Sequence, residues 1–361
     1  MKKDIETKSE TLIVEVPLQA SNIDERGNVL YLDKERLDRK KVGFRRHKNK
    51  SNGLGIYNFI TANFIHVNPK RWKIVKILYK IVIKFAPWLK QGGAKAKLYK
   101  KITKLYPDME KNTGSVVMPL NVDVSRAGEK VTIPMDMLKE TLKKVEYIAG
   151  MDTCLCRQSN DCKDYPKDLA CLFLGEPGRS ITKHKLGREL TYEEACERID
   201  RAAALGLMAQ AVWIEFEQPL WGVPNDQMDN FLEVCFCCPC CCVAMQLSSN
   251  LTEKERIRFH PSGWTAVPDR TRCVGCGQCL GGDRSCPVEA ISLDENKKVV
   301  INQETCLGCG VCVSKCKLDV IKIKQTMPMR ADIGEYFDEE FNVGLRIWKD
   351  EERNKELSSR S

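Results

Sequence analysis

No cysteine occurs before Cys154 in this 361-residue chain, and all nineteen lie between that position and Cys316. Histidine is scarce. His47, His66, His184 and His260 are the four present, and no two stand at metal-ligand spacing, which argues against a histidine-based centre. The opening MKKDIETKSETLIVE has no apolar h-region, so no secretory signal is expected and a cytoplasmic location is. Among reduced thiols, dense cysteine points to metal or cluster ligation rather than disulfides. There is no G-x-G-x-x-G after a strand, no Walker loop, no G-x-S-x-G and no H-E-x-x-H. Nothing in the chain announces an organic cofactor or a hydrolytic nucleophile, and whether it is an enzyme stays open.

Charge is placed as unevenly as cysteine. Residues 1–110 hold 25 Lys and Arg against 11 Asp and Glu, and the remainder holds 33 against 38. A basic, cysteine-free region (1–112) therefore precedes a cysteine-rich module (113–255), a second cysteine-rich domain (256–330) and a polar tail (331–361). KERLDRKKVGFRRHKNK (34–50) reads as a solvated arm or a contact for an anionic lipid surface. No zinc finger, helix-turn-helix or aromatic RNA-binding signature accompanies it, so nucleic acid is the weaker partner.

WKIVKILYKIVIKFAPWLK (72–90) is the most apolar stretch. Its Lys73, Lys76, Lys80 and Lys84 line up as one basic stripe on a helix, and four lysines argue against a membrane span. A helix lying in a membrane interface fits, with Trp72 and Trp88 at headgroup depth and the protein held at the inner face of the membrane. A helix docked on a partner or buried in its own domain fits as well. Residues 107–116 read as a linker. VTIPMDMLKETLKKVEYIAG reads as one helix, from Pro134 in the first turn to a C-terminal Gly150. TYEEACERIDRAAALGL (191–207) is another, with Thr191 and Glu194 at capping-box spacing and Cys196 on its apolar face as a small core residue.

Two runs carry the clearest chemistry. C-V-G-C-G-Q-C-L-G-G-D-R-S-C-P places Cys273, Cys276, Cys279 and Cys286, and C-L-G-C-G-V-C-V-S-K-C places Cys306, Cys309, Cys312 and Cys316. Two-residue spacers wrap the chain so that three thiolates reach one cluster. Gly275, Gly277, Gly308 and Gly310 permit the turns and open backbone N–H groups toward sulfur. AISLDENKKVVIN between the runs has hairpin patterning, and VIKIK (320–324) reads as a strand.

These motifs resemble the bacterial-type ferredoxins that bind two [4Fe–4S] clusters, over about residues 264–325. The resemblance implies a crossover in which Cys273, Cys276, Cys279 and Cys316 hold one cluster and Cys306, Cys309, Cys312 and Cys286 the other. It implies low-potential electron transfer between redox partner proteins. The chain departs from the family's simple pattern in two places: six residues separate Cys279 from Cys286, read as a surface bulge, and Lys317 replaces the proline after Cys316. Zinc is the alternative occupant of C-x2-C pairs.

Eleven cysteines remain. Cys154, Cys156, Cys162 and Cys171 form a front group, and C-F-C-C-P-C-C-C supplies six more at 235–242. Pro239 bars a regular helix through that string, and neighbouring cysteines point apart in an extended chain. A third site is expected, joining Cys154, Cys156, Cys162 and Cys171 to two or three of the string, with Cys235, Cys238 and Cys240 as candidates. A cluster, zinc, a dithiol–disulfide pair and plain packing are the readings left open. Residues 130–245, with C-L-C-R, Cys162, Cys171-Leu-Phe-Leu-Gly and the later CC-x-CC, also resemble a module preceding ferredoxin domains in proteins of anaerobic bacteria and archaea. That likeness groups the two cysteine sets and supplies no reaction.

The expected fold is α+β: a C-terminal ferredoxin-type dicluster domain after a mainly helical cysteine-rich module and a basic helical N-terminal region. The expected function is an iron–sulfur electron carrier or relay subunit with two [4Fe–4S] clusters and a candidate third. The alternative is an iron–sulfur reductase or activator whose active site lies in 113–255, and a cluster-storing scaffold stands behind both.

Overall fold

Three helices open the described part of the chain, which in this computed structural model comprises residues 70–103, 113–120, 134–223, 225–250, 258–280 and 286–349. The arm 34–50, most of the expected linker, most of the spacer between Cys279 and Cys286, and residues 350–361 lie outside it. α1 (Trp72–Phe85) cannot run on through Pro87, whose ring would clash with the preceding turn. Pro87 instead begins α2 (Pro87–Gln91), and Gly92, at φ 69°, leads into α3 (Gly93–Thr103). The one helix expected over 72–90 is therefore two.

α1 docks on its own chain. Val75 is buried, Trp72 and Tyr79 pack beside it against the main core, and Trp72 Nε1 donates to Gln158 Oε1 at 2.6 Å. Trp72 therefore turns inward and does not serve as the expected headgroup anchor. The opposite side of α1 exposes Ile74, Ile77 and Ile81, flanked by Lys73, Lys80 and Lys84.

The elements of the next region are β1 (Thr113–Pro119), α4 (Pro134–Lys144), β2 (Ile148–Met151), α5 (Leu155–Ser159), β3 (Leu172–Gly175), α6 (Glu176–Lys183), β4 (Gly187–Glu189), α7 (Tyr192–Ala204), β5 (Met208–Ile214), α8 (Gln218–Trp221), β6 (Phe231–Cys237) and α9 (Val243–Ser248). The six strands join β7 (Phe259–Pro261) in one sheet, ordered β4-β2-β3-β6-β5-β1-β7. All neighbours are antiparallel except β1 and β7, which are parallel.

This sheet corrects the expectation of a mainly helical module. Its strands were hidden because they are buried along both faces and lack polar alternation: TGSVVMP, LFLG and MAQAVWI are buried at every position. Alternation survives in where the side chains go. Val116, Met118, Ala209, Ala211 and Trp213 enter one core, whereas Val117, Met208 and Cys237 enter a second. The second core is the one that continues into the ferredoxin-like region.

α7 has the capping box read from sequence: Glu194 N donates to Thr191 Oγ1 at 3.2 Å, and Thr191 N to Glu194 Oε2 at 2.9 Å. The helix expected to run to Gly150 instead stops at Lys144. Ile148, Ala149 and Gly150 pair with Leu174, Phe173 and Leu172 in the sheet, and strand pairing outweighs the local helical pattern.

β8 (Trp264–Pro268) and β11 (Ile321–Gln325) pair antiparallel around the hairpin of β9 (Ile291–Leu293) and β10 (Val299–Ile301), with the short α10 (Val311–Lys315) before β11. The expected hairpin and strand are both present. Gly308, at φ 65°, is required twice over, because a Cβ there would fall 1.8 Å from the Trp264 carbonyl oxygen.

The segment expected as a polar tail contains α11 (Ile333–Phe341). Ile333, Tyr336, Phe337 and Phe341 are buried in the main core, as are Leu345, Ile347 and Trp348. Glu335, Asp338 and Glu339 raise the segment's polarity and mask an apolar face at helical spacing.

Candidate metal centres

The ferredoxin-like region supplies sulfur and the donors that sulfur needs. Cys286, Cys306, Cys309 and Cys312 line one small apolar cavity together with Val288, Ile301, Leu307 and Val311, with Cys279 at its wall. Backbone N–H groups point at the sulfurs: Ala290 to Cys286 Sγ at 3.3 Å, and Ala266 and Gly308 to Cys306 Sγ at 3.5 Å each. Val299 N donates to Cys273 Sγ at 3.5 Å. Such N–H···S bonds stabilise thiolates and tune a bound cluster, so these residues fit one. Cys279 feels the charges of Cys316, Cys273 and Cys276, whereas Cys306 and Cys309 both feel Cys286. Cys316 thus lies near Cys279 of the first run, and Cys286 near Cys306, Cys309 and Cys312 of the second. Burial raises the thiols of Cys279, Cys306 and Cys312 and pushes Cys309 up to about 12, so ligation is what would deprotonate them near neutrality.

Upstream, the seven cysteines expected to share one site fall into three neighbouring groups. Cys162, Cys238, Cys240 and Cys241 form the first, with their sulfurs all within 4.8 Å of one another. Cys171 and Cys235 form the second, 3.3 Å apart, and Cys235 reaches Glu233 Oε1 at 2.9 Å. Cys154 is hydrogen-bonded to Cys156, which faces Cys242, and Cys242 is in turn bonded to Cys237. Cys237, Cys241, Cys242 and Glu233 were not among the expected site residues. The signal for Glu233 was a lone acid in an otherwise apolar strand, FLEVCFC. Neighbouring cysteines point apart only where the chain is extended. The turn after Pro239 brings Cys240 and Cys241 together, with sulfurs 3.5 Å apart.

Arg157 stands at the junction of these groups. It is 1% exposed, and its guanidinium donates to the carbonyls of Pro166 (3.0 Å), Leu169 (2.6 Å) and Phe236 (2.6 Å). A hydrogen bond from Cys241 and the charge of Arg157 lower Cys238 to about 5, and hydrogen bonds from Cys235 and Cys242 hold Cys237 well below the ordinary thiol value as well. Burial, together with the charge of Glu217, pushes Glu233 up to about 8. Cys196 is half-buried beside Tyr192, more exposed than the core position expected for it. His184 Nδ1 lies 2.8 Å from the Ser180 carbonyl oxygen, and His260 packs near Tyr336, Phe341 and Glu340. His47 and His66 lie outside the described residues.

Residues 272–320 match the family model described as a 4Fe-4S dicluster domain. A ferredoxin of Methanothermococcus thermolithotrophicus is 34% identical over 59 residues, which are 16% of this chain and 93% of that protein. An uncharacterized ferredoxin of Methanocaldococcus jannaschii is 33% identical over 69 residues, 18% of this chain and 86% of the relative. Pyruvate synthase subunit PorD of the same organism is 34% identical over 55 residues, 15% of this chain and 60% of that protein. No solved structure gives a significant match. Through its paired C-x2-C-x2-C runs the chain belongs to the 4Fe-4S dicluster ferredoxin family.

Proposed function

We propose that this protein relays single electrons at low potential through two [4Fe–4S] clusters, toward or from a further centre in the upstream module. The observation that carries this reading is the shared core: Cys237 and Cys242 of the module are buried in the same cluster of side chains as Cys273 and Cys306. When bound, the clusters supply reversible one-electron chemistry. The chain supplies thiolates, N–H···S donors and an apolar surround. The pyruvate synthase subunit among its relatives favours an oxidoreductase complex as the partner.

Anaerobic iron and sulfide analysis with EPR of the reduced protein tests this. About eight irons in the ferredoxin domain, reducible by a low-potential donor and reoxidised by a one-electron acceptor, are expected. Clusters that stay oxidised under such a donor would sink the relay. One observation favours a reductase or activator instead: Cys171, Glu233 and Cys235 make a three-ligand group, and a site with an open position can take a substrate.

The exposed side of α1 completes the proposal. No helix among the described residues is long and apolar enough to cross a membrane. Ile74, Ile77 and Ile81 beside Lys73, Lys80 and Lys84 instead suit an anionic lipid surface, with the isoleucines entering the interface and the lysines meeting headgroups. The full chain is expected to float with vesicles containing anionic lipid, and Ile77→Glu to reduce recovery several-fold. Equal recovery of both proteins rejects the contact.

A further inference from the structure

Sulfur spacing distinguishes a single ion from a cluster. Four thiolates around one tetrahedral zinc, at about 2.3 Å each, stand about 3.8 Å from one another. A cubane interposes iron and inorganic sulfide and spreads its thiolates wider. Cys162 and Cys240 sulfurs lie 3.9 Å apart, Cys240 and Cys241 lie 3.5 Å apart, and all four sulfurs of the group close to within 4.8 Å. The two ferredoxin quartets serve as internal comparison. All eight of their cysteines are described, and no three of their sulfurs close to within that distance.

We infer that Cys162, Cys238, Cys240 and Cys241 bind one tetrahedral zinc ion in a closed, redox-silent site, separate from every iron–sulfur centre of the chain. The four thiolates leave no position for water or substrate, as a structural ion requires. Cys162, Cys238 and Cys241 are buried, and Cys240 is partly so. Four thiolates around Zn²⁺ leave two negative charges, which need compensation in a buried place. The buried Arg157 guanidinium lies against Cys238 and supplies one positive charge.

The backbone of the site is held from outside. Asn160 Nδ2 donates to the Cys241 carbonyl at 3.1 Å, and Gln246 Nε2 to the Cys240 carbonyl at 2.6 Å. Such bonds fix ligand geometry before the ion arrives. The ion would tie the loop after α5 to the turn after β6, two segments joined otherwise through Arg157 and Asn160. It would also explain how neighbouring cysteines serve one centre: the turn at Pro239 replaces an extended chain, so the side chains no longer alternate.

The full chain, purified anaerobically and without chelator, is subjected to metal analysis and zinc K-edge X-ray absorption. About one zinc per chain, in a shell of four sulfurs at about 2.3 Å, is expected. Cys241→Ser should lose the zinc and keep the ferredoxin iron, while Cys196→Ser should change neither. Wild-type protein lacking zinc, or a zinc shell containing nitrogen or oxygen, would overturn the assignment. So would a Cys241→Ser variant that loses iron and keeps its zinc. The absorption measurement needs no variant, so a misfolded mutant leaves the test intact. The iron content of the wild-type protein, read separately, reports on the relay proposal alone.

Discussion

Cys286→Ser is expected to remove about half of the ferredoxin-domain iron, and to take it from the cluster of the second run rather than its own. Cys286 lines one cavity with Cys306, Cys309 and Cys312, while Cys316 acts on Cys279 together with Cys273 and Cys276. A cubane missing one of four thiolates is exposed to loss of iron. Pairing the variant with a second one identifies the cluster. If Cys286 and Cys309 hold the same cluster, Cys286→Ser with Cys309→Ser costs little more iron than either alone, because the effects are not additive within one unit. Cys286→Ser with Cys276→Ser should then remove nearly all of it. The opposite pattern, with 286 and 276 behaving as one unit, would show that each run closes on itself.

Arg157→Met should destabilise the folded module by about 3–5 kcal/mol, the cost of breaking a buried charged network by removing one partner. The side chain is 1% exposed and ties α5 to two other stretches of chain, the loop at 166–169 through the carbonyls of Pro166 and Leu169 and β6 through that of Phe236. Methionine fills much of the volume but leaves two buried acceptors and a partly buried one without their donor, and each buried unsatisfied group costs about 1–3 kcal/mol. Arg157→Lys should rescue little, since an ammonium cannot reproduce the planar fork that reaches carbonyls on opposite sides. Denaturant midpoints of the three proteins, with metal content held equal, provide the measurement. A loss below about 1 kcal/mol would mean that water or rearranged backbone satisfies those carbonyls, and that Arg157 does not hold the thiol groups in place.

The ferredoxin domain was legible because its chemistry is local. Three thiolates at two-residue spacing, and glycines where φ must be positive, appear as a string, and Gly275, Gly277, Gly308 and Gly310 all take φ between 65° and 77°. The hairpin, the strand at 321–325 and the capped helix at 192–204 were legible for the same reason. The sheet of the module was not. Its strands are covered on both sides, so the period-2 pattern that marks a half-exposed strand is absent. α11 was obscured differently, by acids on its outer face that make the average composition polar while Phe337 and Phe341 are fully buried.

Sequence alone established that the chain concentrates its cysteines after residue 153 and that eight of them stand in two ferredoxin runs. It also placed a front group and a string of cysteines far apart in the chain, to be joined by folding. Only the tertiary structure decided how they join. β6 aims Cys235 and Cys237 at the core shared with the dicluster, and the turn at Pro239 gathers Cys238, Cys240 and Cys241 around Cys162. Cys154, Cys156 and Cys242 are left as a third set. Spacing along a chain limits which neighbours can share a metal. Where a side chain points depends on whether its backbone lies in a strand or a turn, and the long-range pairing of the sheet sets that.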